Sequence, residues 1–287
     1  MKIQDTSLKV SIQDIEKFEK FLYERESAAT TISKYKTDLK TFFCFLGEET
    51  VIDKVKLLSY KEWLLSRYKI NSVNSILAAL NQFLIFMDAE QLRVKRIKMQ
   101  RNFFIQEDKE MTVREFKRLV YIARSEGREQ LALCMETIAS TGIRISELRY
   151  FTLERVLQGR IEIYNKGKLR KIFIPEAVRV KLLQFCREKE ITDGYIFATK
   201  SGRAKDRSNI WKEMKNLQSR SGIDKNKIFP HNLRHLFARQ YYQSTKDLTG
   251  LADLLGHSSL NVTRVYTACT GKRYQKQLDQ VALDFKI

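Results

Sequence analysis

Apolar residues recur at every third or fourth position through much of the chain, a period that predicts a mainly α protein. Residues 11–25, SIQDIEKFEKFLYER, place Ile12, Ile15, Phe18, Phe21 and Leu22 on one helical face. Ser11 and Asp14 there stand in the relation of a capping box. Residues 30–46 repeat the pattern with Ile32, Tyr35, Leu39, Phe42, Phe43 and Leu46, and Gly47 offers a natural stop. Two more helices are expected over 59–68 and 72–91. Together these predict a compact helical bundle over 1–92, with the aromatic stripe Phe18, Phe21, Phe42, Phe43, Phe83 and Phe86 as its core.

The period then lapses. Residues 93–102, RVKRIKMQRN, hold five basic residues and no acidic one, which marks a basic linker over 93–108. A second domain is expected over 109–287. Thr112 and Glu115 form a capping box that opens a helix to about Ser125, and residues 128–140 make a largely apolar helix that should be buried. Gly142 suits a left-handed exit from that helix, and Ser146 is a candidate cap for the next. Arg144 would then sit in a tight turn with an apolar neighbourhood, where a cation needs an anion: a ligand, or Glu147 or Glu154. The alternation of Ile161 and Ile163 with Ile172 and Ile174 around Asn165-Lys166-Gly167-Lys168 predicts a β-hairpin. Helices are expected over 176–189, 206–221, 233–243, 247–255 and 259–266. The tail carries Tyr274, Leu278, Val281, Leu283 and Phe285, an apolar set that suggests a terminal docking helix.

Composition narrows the function. The formal net charge is +19 and the isoelectric point near 9.7, an excess that folding does not need and that points to a polyanionic partner. The four cysteines, Cys44, Cys134, Cys186 and Cys269, are widely spaced, which suits reduced thiols of a cytoplasmic protein better than disulfides or a zinc site. The first eighteen residues lack an apolar signal core, and no apolar run is long enough for a membrane span, so neither export nor membrane insertion is expected.

All three histidines fall in one stretch, FPHNLRHLFARQYYQSTKDLTGLADLLGHSSLNVTRVYT, residues 229–267. It offers His231, Arg234, His257 and Tyr266: imidazoles for proton transfer, a fixed cation and a phenol that can act as a nucleophile. P-H-x-L-R-H, then L-G-H-S, then a tyrosine nine residues after that histidine, resembles the C-terminal box of the tyrosine recombinases, the phage integrase family. TGIRISEL at 141–148 is similar to the family's first-arginine box. The run of Thr31, Tyr35, Asp38 and Leu39 resembles its N-terminal core-binding domain more weakly.

The resemblance implies a SAM-like helical core-binding domain followed by a mixed α+β catalytic domain. It implies a site-specific recombinase that cuts and rejoins double-stranded DNA through a 3′-phosphotyrosine. Tyr266 would be the nucleophile. Arg144 and Arg234 would hold the non-bridging oxygens, and His231 and His257 would bond the same phosphate and share proton transfer. Lys166 on the hairpin would protonate the leaving 5′ oxygen, with Lys168 as its rival, and Glu147 would orient the basic groups. The retained bond energy means that neither ATP nor a metal cofactor is needed. A synaptic homotetramer or assembly with a related recombinase, accessory proteins, and a C-terminal helix packed on a neighbouring protomer or on its own are further implications. With a first helix near residue 11, the chain looks like the small Xer-like or mobile-element members. A type IB topoisomerase and a DNA-binding regulator on the same scaffold are the alternatives. His235 reads as structural, a three-histidine zinc site being the other use for it.

Overall fold

A computed structural model describes residues 7–98, 110–165, 168–257, 260–263 and 266. The chain divides into two compact units, Met1–Arg101 and Asn102–Ile287.

The first unit is a four-helix bundle: α1 (Asp14–Glu24), α2 (Ala29–Leu46), α3 (Lys54–Arg67) and α4 (Ile70–Phe86). Ser11 donates to the Asp14 carboxylate from both its backbone N–H and its hydroxyl, at 2.8 and 3.0 Å. Gly47 ends α2 at φ +63°. The aromatic stripe is core as expected: Phe18, Phe42 and Phe83 are fully buried, and Phe18 meets Phe83 edge-on at 5.6 Å. Full burial of each such ring is worth about 1.5–3 kcal/mol. Helix α3 begins five residues earlier than expected, because the Asp53 carboxylate accepts from the Lys56 N–H at 2.7 Å and caps it. Helix α4 ends short, and Asp88 turns the chain at φ +55° before a 3₁₀ turn at Glu90–Leu92. Two short strands, β1 (Leu8–Lys9) and β2 (Val51–Ile52), pair antiparallel.

The basic stretch that follows has a defined path as far as residue 98. Asn81 bonds both the N–H and the C=O of Val94, at 2.8 and 2.9 Å. Asn74, two turns earlier on α4, does the same for Ile97. Lys61 donates to the Lys95 carbonyl, and Lys54 to the carbonyls of Leu92 and Arg93. Val94 is buried, whereas Arg93, Lys95, Arg96 and Lys98 are exposed.

The second unit is built round α6 (Glu129–Thr141), which packs against α5 (Val113–Ser125), α8 (Glu176–Glu188), α9 (Arg207–Asn216) and α11 (Pro230–Thr245). The predicted capping box at Thr112 and Glu115 closes in both directions. A helix the period did not indicate, α7 (Leu153–Leu157), leads into the hairpin of β3 (Arg160–Asn165) and β4 (Lys168–Phe173). Its register pairs Ile161 with Ile172 and Ile163 with Arg170. The single helix expected over 206–221 is two, α9 and α10 (Gln218–Ser221). Helices α12 (Leu248–Leu255) and α13 (Leu260–Thr263) follow α11. Cys44, Cys134 and Cys186 are free thiols. The expected docking tail, with Tyr274, lies outside the described residues. Among the described residues no helix is long and apolar enough to cross a membrane.

Candidate active site

Arg144 stands where α6 ends. Gly142 leaves that helix at φ +64°, and a Cβ there would lie 2.3 Å from the Phe237 ring of α11 and 2.9 Å from Leu255 of α12. Three elements therefore meet at this turn. Arg144 is the N-cap of a 3₁₀ helix, Ile145–Tyr150, and Glu147, rather than the expected Ser146, supplies the capping side chain. Its carboxylate, three residues on, reaches back to the Arg144 N–H. The bond is 2.8 Å, and the second Glu147 oxygen lies 3.2 Å from the Arg144 guanidinium. Glu147 is buried, and Arg170 on β4 donates to both of its oxygens at 2.9 and 2.8 Å. Arg144 keeps 42% of its side chain exposed and is thus available to an outside anion.

Helix α11 starts on Pro230, and successive turns bring His231, Arg234 and His235 to the same place. Arg234 is 1% exposed. Its guanidinium donates to the Gly142 carbonyl at 2.5 Å and the Leu255 carbonyl at 2.7 Å, and contacts His257 Nε2 at 3.0 Å. Arginine has no acceptor, so Nε2 must present its lone pair and Nδ1 must carry the proton. Nδ1–H then donates to the buried Thr263 hydroxyl at 2.9 Å. Burial and the charges of Arg144 and Arg170 hold the Arg234 guanidinium down to about 10.

Tyr266 is buried against Ala238, Leu251 and Leu255. Its ring meets His235 edge-on at 5.2 Å and 82°, and lies parallel to His257 at 6.5 Å and 12°. His231 is 4.5 Å from His235, ring to ring. Burial raises the Tyr266 phenol above its ordinary value, and the nearby charges of Arg234, Arg239 and Arg144 offset only part of that rise. Five of the predicted residues, Arg144, His231, Arg234, His257 and Tyr266, thus share one locus, with Glu147 behind them. Lys166 lies outside the described residues, as does the Lys168 side chain.

Three residues make contacts that the sequence reading does not give them. Arg170 joins Glu147 to α12. His235 touches the Tyr266 ring. Arg239 follows His231 and His235 at a four-residue spacing, donates to the Met111 carbonyl at 2.7 Å and pairs with Glu110. That spacing is the signal that marks His231, His235 and Arg239 as one helical face. Among the described residues no group of His, Cys, Asp or Glu is arranged to hold a metal ion.

Burial, then the neighbouring His231 and Arg234, push His235 down to about 4. Burial, then the Arg234 and Arg144 charges, do the same to His257. Both rings are neutral near neutral pH. Unfolded, they titrate near ~6.5, so the unfolded chain binds more protons between about pH 6.5 and 4. Stability is therefore full above that window and falls as pH drops through it, by on the order of 3 kcal/mol for His235. Melting followed by circular dichroism should show that acid loss, reduced in His235→Phe. Equal losses in both proteins would contradict the neutral-ring assignment.

Comparison with known proteins identifies the family. Residues 109–273 match the phage integrase family, and residues 15–91 match its N-terminal SAM-like domain. Tyrosine recombinase XerA of Pyrococcus furiosus is 26% identical over 279 residues, which covers 94% of each chain. Tyrosine recombinase XerD of Vibrio cholerae is 25% identical, covering 88% of this chain and 90% of that one. Among solved structures, a XerH recombinase on a palindromic difH substrate aligns with a TM-score of 0.70 at 21% identity, over 93% of this chain and 84% of that chain. A lambda integrase tetramer on a Holliday junction aligns with 0.72 at 20%, over 92% and 78%. The family match over residues 109–273, more than half of the chain, shows that the chain belongs to the phage integrase family.

Proposed function

We propose that this protein is a site-specific DNA recombinase whose nucleophile is Tyr266. The observation that carries the reading is the gathering of two guanidinium groups and two neutral imidazoles around one buried phenol. The Tyr266 oxygen attacks the scissile phosphorus, and the bond from phosphorus to the 5′ oxygen breaks. Its proton passes to His231, whose pKa burial and the Arg234 charge lower, so that the ring is unprotonated and free to accept it. Arg144 and Arg234 stabilise the charge on the non-bridging oxygens, where a planar, permanently charged group is worth more than a lysine. His257, with Nε2 facing Arg234, orients that guanidinium. Lys166 supplies the proton to the departing 5′ oxygen. The product is a 3′-phosphotyrosyl enzyme and a free 5′-OH, and a partner strand's 5′-OH reverses the step on a new end.

The helical unit over 1–92 and the basic stretch over 93–108 would grip the duplex ahead of the catalytic unit, 109–287, consistent with the +19 charge. Assembly as a tetramer on two sites and a cytoplasmic location belong to the same reading.

The test is covalent capture on nicked duplexes bearing candidate sites. An adduct that survives SDS and is absent in Tyr266→Phe, with DNA binding retained, supports the reading. An adduct that persists in Tyr266→Phe moves the nucleophile elsewhere, Tyr274 first. Binding to a cognate site with no adduct at all would favour a regulator.

A further inference from the structure

Arg170 joins three segments that are distant in sequence. On one side its guanidinium grips both oxygens of Glu147, which in turn holds Arg144 through backbone and side chain. On the other side it donates to the Leu254 carbonyl in the last turn of α12, three residues before His257. The Arg170 side chain is 12% exposed, and its Nε is buried with no partner among the described residues. Gly256 makes room for it: a Cβ there would lie 2.6 Å from Arg170 Cδ and 2.9 Å from Nε. The stem thus runs hard against the backbone that leads into His257.

Resting on the recombinase reading, we propose that Arg170 is a positioning residue, a latch through which the β3–β4 hairpin holds Arg144 and His257 in their cleavage geometry. With β4 seated, one guanidinium fixes the Glu147 carboxylate and the end of α12 together. With β4 displaced, both supports are lost at once. The hairpin therefore governs groups on other elements, apart from any side chain it brings to the phosphate itself. Only a planar cation with donors on opposite sides can span the two acceptors, so neither lysine nor methionine replaces it.

Single-turnover adduct formation on a nicked duplex tests this, at a temperature where melting shows every variant folded. Arg170→Met should slow the covalent step by on the order of 100-fold, the scale of a small misplacement of reacting groups, with DNA affinity little changed. Arg170→Lys should fall between, and it carries the test if the methionine variant does not fold. In an Arg144→Lys background the same Arg170 change should cost clearly less, because one of the two groups it acts through is already altered. A merely structural role predicts lost folding and binding and no such dependence. The latch is refuted by a folded Arg170 variant that cleaves like the wild type, or by an undiminished loss in the Arg144→Lys background. The recombinase reading fails separately, if the wild type forms no adduct that Tyr266→Phe abolishes.

Discussion

Replacing Arg234 with Gln should lower the rate of covalent adduct formation by about 10³-fold or more while DNA affinity stays nearly unchanged. The size of the effect follows from what the guanidinium does at once. Two of its bonds tie the end of α6 to the end of α12 through the Gly142 and Leu255 carbonyls. A third contact fixes the His257 tautomer. Its Nε is buried and without a partner among the described residues. Glutamine is shorter, uncharged and has only one amino group, so it cannot serve both carbonyls and a phosphate. Each carbonyl left bare costs about 1–3 kcal/mol, offset in part by relief of burying a charge among other cations. Arg234→Lys should not rescue cleavage, because an ammonium presents no planar fork. Single-turnover kinetics on a nicked duplex decide the matter. A lysine variant within about 10-fold of the wild type would show that charge alone suffices at this position.

Gly142→Ala should strongly destabilise the second unit. The backbone there is left-handed, and the added methyl would meet the Phe237 ring at 2.3 Å. A left-handed conformation costs a side chain about 1–2 kcal/mol, and overpacking adds about 1–3 kcal/mol. The sum corresponds to a fall of about 10 °C in melting temperature for a unit of this size. Gly222 provides the internal control within the same unit. It has nearly the same backbone, φ +63° and ψ +15° against +64° and +18°, but its would-be Cβ meets only the Arg118 guanidinium, at an ordinary 3.8 Å. Gly222→Ala should therefore show the conformational part alone. Equal shifts in the two variants would mean that the contact with Phe237 is not what makes Gly142 necessary. Adduct formation should fall in Gly142→Ala as well, since Arg144 follows two residues later.

The long helices were legible because each repeats its apolar spacing over several turns, as α2 does from Ile32 to Leu46. Short pieces were not: β1 and β2 have two residues each and α7 five, too few for a period to declare itself. The start of α3 hung on the single side chain of Asp53. At the site, motif spacing identified the residues that converge, but not what supports them. Arg170 was available from parity, since it shares an alternation with Ile172 and Ile174, and an arginine on a buried strand face must be paired. Reading that alternation only through its isoleucines leaves Arg170 among the hairpin's basic residues. The contact of His235 with Tyr266 joins elements about thirty residues apart, a relation no local pattern encodes.

The asparagine pair on α4 bears on how such a chain can change over time. Asn74 and Asn81, with Lys54 and Lys61, address the segment beyond α4 only through its main chain. Its path is thereby indifferent to which side chains it displays at 93, 95, 96 and 98, all of them exposed. Basic residues there can be gained, lost or exchanged without refolding the bundle. Grip on a polyanion becomes a heritable setting, adjustable one substitution at a time, while the frame that presents it stays constant.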